Sequence, residues 1–207
     1  MSQDAAVHAE AHHHDYFGAK LGMWLFLLTE ILLFTGLFLA YAWMRSRYPA
    51  EFHHGGSELN AVIGVLNTVV LLTSSLTMAL SIVAIEQGQR RTSLRFLCAT
   101  ILLGLVFLVD KGIEWTHEIR HGIYPGSHHL ATQPPGEQVF FGLYYTMTGL
   151  HGLHVIAGMT LLGIVAVQVA RGRVTPERHG LLENSGLYWH LVDVVWIFLL
   201  PLFYLAA

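Results

Sequence analysis

Five apolar stretches, each long enough to cross a bilayer whose hydrocarbon core is about 30 Å thick, divide this chain and leave only short polar loops between them. They fall at residues 17–44, 61–85, 94–116, 138–170 and 185–206. Such segments must satisfy their own backbone in lipid, which only helices and closed barrels can do. The lengths select helices, so the expected fold is an all-α polytopic membrane protein: one bundle of five transmembrane helices over 16–207. The composition agrees, with 54% hydrophobic residues and only 12% charged, where a soluble domain carries about 25% charge. Mean hydropathy is +0.51.

The first and fourth stretches exceed the minimum length and are expected to tilt or protrude. Residues 1–15 are acidic and histidine-rich, with no basic region of a signal peptide, and read as a polar, solvated tail. Basic residues set the orientation. Lys20, Arg90, Arg91, Arg95, Arg171, Arg173 and Arg178 fall on one side, Arg45, Arg47, Lys111 and Arg120 on the other. The positive-inside rule then places the N-terminus in the cytoplasm and the C-terminus outside. A net charge of −3 gives no reason to expect nucleic acid as a partner. Cys98 stands alone, which excludes a disulfide within the chain.

Ionisable groups inside the spans carry the functional signal, since a charge near mid-bilayer costs about 2.5–3.5 kcal/mol on insertion scales and faces protein or water. Glu30 lies near the centre of the first span and is a candidate for proton exchange or lipid contact. The plainer alternative is a carboxylic acid hydrogen-bonded to a neighbouring helix for packing alone. In the last span Trp189, Asp193 and Trp196 share a helix face with His190 beside it, a face that cannot point at lipid.

His151 and His154 are i, i+3 neighbours suited to a metal or, more simply, to a polar interhelical contact. Glu114 and His117 form one Glu-x-x-His unit, which di-iron bundles use in pairs; the second unit is missing, and no metal site is assigned. Asn67, Thr68, Thr73, Ser74 and Ser75 read as hydrogen-bonding and close-packing residues of the second span. Asn67, Glu114, His117, His151, His154, His190 and Asp193 are thus expected as buried polar contacts between helices. Two other classes remain open: a membrane metalloenzyme with Glu114, His117, His151 and His154 as ligands, and a small transporter using Glu30 and Asp193. Against transport, no inverted repeat is visible and Pro201 alone interrupts a span.

In order along the chain, Leu28-Thr29-Glu30-Ile31-Leu32-Leu33-Phe34-Thr35-Gly36, Leu66-Asn67-Thr68-Val69-Val70, the charged helix end from Asp110 to Glu118, Gly149-Leu150-His151-Gly152-Leu153-His154-Val155 and Tyr188-Trp189-His190-Leu191-Val192-Asp193-Val194-Val195-Trp196 resemble subunit III of the haem-copper respiratory oxidases. The likeness extends over about residues 16 to 206. It implies that Glu30 is the family's carbodiimide-reactive carboxyl beside a phospholipid-filled cleft, and that this chain itself holds no haem or copper, which sit in partner subunits. It further implies packing against the catalytic subunit I and subunit II, possible contact with other respiratory-complex subunits, bound phospholipid, support of proton uptake and protection against turnover-dependent inactivation. The setting it implies is a cytochrome c oxidase reducing O2 to water in a bacterial inner membrane.

A histidine often precedes the first matching helix in the family; His12, His13 and His14 sit there in loose register. Longer members carry two additional N-terminal helices that this sequence lacks, so the cleft is expected to be absent or completed by a partner. Five-helix forms occur in cytochrome and quinol oxidases, and a related subunit accompanies some nitric oxide reductases. Glu30, where the quinol form tends to have aspartate, and Asn67-Thr68 favour the cytochrome c oxidase.

Overall fold

The computed structural model describes residues 3–205, with side chains for 18–205. The elements are helices α1 (Gln3–Arg47), α2 (Pro49–Ser57), α3 (Ala61–Glu86), α4 (Arg90–Arg120), α5 (His128–Ala131), α6 (Pro135–Ala170) and α7 (Gly180–Leu200), followed by a π-helical turn, Pro201–Leu205. No strand occurs among the described residues. Among the described residues, five helices are long and apolar enough to span a membrane: Gly18–Arg47, Ala61–Glu86, Arg90–Arg120, Pro135–Ala170 and Gly180–Leu205. The side chains of the 1–15 tail, with His12, His13 and His14, lie outside those described.

Local chemistry explains the helix boundaries. Asn60 caps α3, its side chain accepting from the backbone N–H of Val62 and Ile63 at 3.1 and 3.3 Å. Gly88, with φ +72°, lets the chain reverse into α4. The Arg90 side chain crosses to the C-terminus of α6 and donates to the Val169 carbonyl at 2.6 Å. Two short helices were not read from the sequence. One of them, α2, begins with Pro49, a residue suited to a first helical turn, and buries Phe52 against Tyr41 and Phe140.

Helices α3, α4, α6 and α7 form a closed ring, each packed on the next, while α1 lies outside against α6 and α7. Trp189 and Trp196, both fully buried, fill the ring. Trp196 meets Phe107 edge-on, ring centroids 4.8 Å apart. Trp189 fits because Gly104 and Gly158 face it: a Cβ there would come within 2.8 and 2.9 Å of its ring. The outer surface is apolar, and on α1 Trp24, Leu32, Leu39 and Trp43 are 57%, 62%, 66% and 68% exposed. In lipid that surface is in its proper solvent.

Gly158→Ala is expected to destabilise the ring by about 1–3 kcal/mol through overpacking on Trp189. Gly163→Ala, where an added Cβ meets nothing within 4 Å, should be neutral or stabilising. Thermal melting of the two detergent-solubilised variants compares them directly; equal melting would refute the packing account.

Candidate functional site

Glu30 on α1 and His154 on α6 meet near the middle of their spans, Oε2 to Nε2 at 2.8 Å. Each side chain is only 16% exposed. The other ring nitrogen of His154 contacts the Leu150 carbonyl at 2.8 Å. A carbonyl only accepts, so this hydrogen-bond pattern assigns a proton to Nδ1. The Nε2–Oε2 contact then holds a single proton in either of two forms: a protonated Glu30 donating to a neutral imidazole, or an imidazolium donating to the carboxylate. The proton can pass between them without movement of either side chain. Phe34 packs edge-on against the imidazole, centroids 5.3 Å apart, and the Tyr188 hydroxyl donates to the His154 carbonyl at 3.2 Å. Aromatic side chains from α1 and α7 thus wall the pair.

A second buried group lies toward the α2 and α5 end. Lys111 and Glu114, 7% and 5% exposed, share one face of α4, Nζ to Oε2 at 3.1 Å. Tyr144 of α6 and Tyr204 of the π-helical turn both donate to Glu114 Oε1 at 2.5 Å. Lys111 donates to the same two hydroxyls at 3.1 and 2.6 Å. Each tyrosine therefore accepts from the ammonium and donates to the carboxylate, a pattern that is fully consistent with a charged pair. Lys111 also lies over the Trp196 ring, 5.3 Å from its centroid. Sequence reasoning named Glu114 but missed Lys111, Tyr144 and Tyr204. The available signal was the buried α4 stripe of Gly104, Phe107, Lys111, Glu114 and Glu118, in which Lys111 is the i−3 neighbour of Glu114.

The other expected residues have mixed placements. His190 contacts the Ser75 hydroxyl through Nδ1 at 2.6 Å, joining α7 to α3. On the same helix pair, Trp189 donates to Ser74 at 3.0 Å and Trp196 to Thr68 at 3.1 Å. His151 and Asp193 are buried, yet neither ring nitrogen of His151 and neither oxygen of Asp193 has a hydrogen-bond partner among the described residues. Ser75, beside Asp193, is engaged by His190. Asn67 is buried with its Nδ2 unpartnered. His117 corrects the expectation of a buried contact: its side chain is 70% exposed, its ring tilted against that of His121 just past the end of α4. The helix turns Glu114 inward and His117 out, so the two do not form a ligand pair.

The ligand set considered for a metalloenzyme is therefore dispersed, with His154 on Glu30, Glu114 on Lys111 and the tyrosines, His151 in an aromatic core and His117 outside. Among the described residues, the side chains that could hold a metal are Glu86, His179 and Glu183, whose ligand atoms lie within 4.8 Å of one another. The Lys20 ammonium, 3.5 Å from Glu183, already supplies a cation there.

The family model described as cytochrome c oxidase subunit III matches residues 1–207. The chain belongs to the cytochrome c oxidase subunit III family. It is 32% identical over 211 residues to cytochrome c oxidase subunit 3 of Thermostichus vulcanus, covering 100% of this chain and 96% of that one. It is 29% identical over 201 residues to cytochrome bo(3) ubiquinol oxidase subunit 3 of Pseudomonas aeruginosa, covering 97% and 91%. With cytochrome c oxidase subunit 3 of Gadus morhua it shares 33% over 189 residues, 88% of this chain and 67% of that one. As an oxidase subunit III, the protein presents two polar centres: a single-proton pair open to the α1 seam and a closed charged knot at one end.

Lys111→Met leaves the Glu114 carboxylate buried without its cation and is expected to cost about 3–5 kcal/mol of stability. Adding Glu114→Gln should recover most of that loss. A double-mutant cycle by thermal melting measures the coupling, and additive effects would refute it.

Proposed function

We propose that this chain is the accessory, non-redox subunit III of a proton-pumping cytochrome c oxidase, seated against the catalytic subunit I and subunit II in a bacterial inner membrane. Haem and copper belong to those partners, and the N-terminus lies in the cytoplasm. The likeness to the Thermostichus vulcanus protein over nearly the full length of both chains supports the cytochrome c reading. The quinol oxidase reading stands second, on the likeness to the Pseudomonas aeruginosa protein.

The observation that carries a role in proton handling is the Glu30–His154 contact. A carboxyl and an imidazole sharing one proton at mid-membrane can take up and release that proton with small structural change. The pair also fastens α1 to the ring. Glu30→Gln separates these roles, because an amide N–H can still donate to His154 Nε2 but offers no exchangeable acid proton.

Material captured through a tag on this chain should show a haem signal in a reduced-minus-oxidised spectrum that disappears when the large subunit is stripped away. A colourless preparation without a large partner would overturn the assignment. Glu30→Gln should retain haem content and assembly while sustained turnover falls; loss of haem would show that the carboxyl serves assembly instead.

A further inference from the structure

Besides the Glu86 group at one end of the bundle, a second set of metal donors gathers at the other end, where α4 runs out. His117 and His121 are i, i+4 neighbours whose ring centroids lie 4.3 Å apart. The helical spacing holds across the end of α4, since the His121 backbone N–H donates to the His117 carbonyl at 3.2 Å. Both residues are exposed. Two imidazoles at this spacing on one helical face are an arrangement that binds zinc.

The turn that follows brings up a third imidazole. Gly122, with φ +75°, reverses the chain, and the Ser127 hydroxyl donates back to the Gly122 carbonyl. The same Ser127 oxygen accepts from the Leu130 N–H at 3.1 Å, which fixes the start of α5 against the end of α4. His129 therefore packs on the turn: a Cβ added at Gly122 would lie 3.2 Å from that of His129. His121 is the preceding residue, its Cα about 3.8 Å from that of Gly122. His129 is exposed, so its ring can turn toward the pair without disturbing the core.

The tautomer of His121 is already set for coordination. Its Nδ1 lies 2.8 Å from the His117 carbonyl, which can only accept, so Nδ1 carries the proton and Nε2 keeps its lone pair. Metal-bound histidines commonly donate their second nitrogen to a carbonyl in this way. Oε1 of Glu118 lies 3.9 Å from His117 Nδ1, where a small rotation would give that ring similar support.

We propose that the α4–α5 turn holds one divalent transition-metal ion, Zn²⁺ or Cu²⁺, on the imidazoles of His117, His121 and His129, with water as the fourth ligand. Imidazole suits both ions, and three protein ligands plus water is an established zinc arrangement. Bound there, the ion fastens α5 to the end of α4. The site goes beyond the oxidase assignment and does not depend on the Glu30–His154 reading.

The test uses the intact oxidase complex with Zn²⁺ as the probe, because the partner subunits carry copper of their own. Diethyl pyrocarbonate acylates accessible imidazoles, and mass spectrometry reads each one. Zn²⁺ is expected to abolish labelling of His117, His121 and His129 while the exposed His53 of α2 is labelled as before. His121→Gln leaves the buried stripe of α4 in place. It should restore labelling of His117 and His129 in the presence of Zn²⁺, and equilibrium dialysis should find one Zn²⁺ fewer per complex. Equal labelling of the wild type with and without Zn²⁺ would overturn the proposal, as would protection that persists in His121→Gln. Protection of His117 and His121 with His129 still labelled would overturn the three-imidazole site.

Discussion

The hydrocarbon layer offers helices no hydrogen-bonding solvent and little hydrophobic reason to associate, because lipid tails are as apolar as leucine. Directional polar contacts and close packing must therefore hold the bundle, and they occur at each seam of the ring. Ser81 with Ser93 and Thr77 with Thr100 tie α3 to α4 at 2.9 and 2.8 Å. Hydroxyls of α3 receive the indoles and face the imidazole of α7. The Lys111–Glu114 knot draws in α6 and the final turn, where the Tyr204 ring against Gly64 brings α3 close as well.

Against this frame, α1 is an appended stave. Its polar attachments lie at three depths: Lys20 to Glu183 at one face, Glu30 to His154 in the middle, and the Tyr41 hydroxyl to the Leu202 carbonyl near the other face. The last uses a carbonyl that is free because the helix is ending. Most of the remaining α1 surface is open among the described residues, with Trp24, Leu32, Leu39 and Trp43 exposed. The proton-exchanging candidate lies on the seam between α1 and α6, outside the closed ring.

The spans, the lipid-avoiding face of α7 and the placement of Glu30 against protein were legible because each follows from hydropathy and helical spacing. Pairings were not. Spacing puts Glu114 within reach of His117, but the direction of the buried α4 stripe decides that Lys111 is its partner, and that direction depends on where α6 and Tyr204 come to rest. Likewise His151 and His154 lie three residues apart, yet one enters an aromatic core and the other crosses to α1. Such choices belong to tertiary packing, which periodicity does not encode. Pro201 was legible as an interruption, though not the π-helical turn it begins, from which Tyr204 reaches the knot.

The Glu30–His154 pair also has a temporal side, because its members are 124 residues apart in the chain. At the usual pace of bacterial or eukaryotic synthesis, roughly 5–20 residues per second, Glu30 is made some 6–25 s before its partner. During that interval the acid must be sheltered by the insertion machinery, by water or by a proton of its own. Glu30 gains its partner only when α6 arrives, so α1 precedes the ring in synthesis and joins it late.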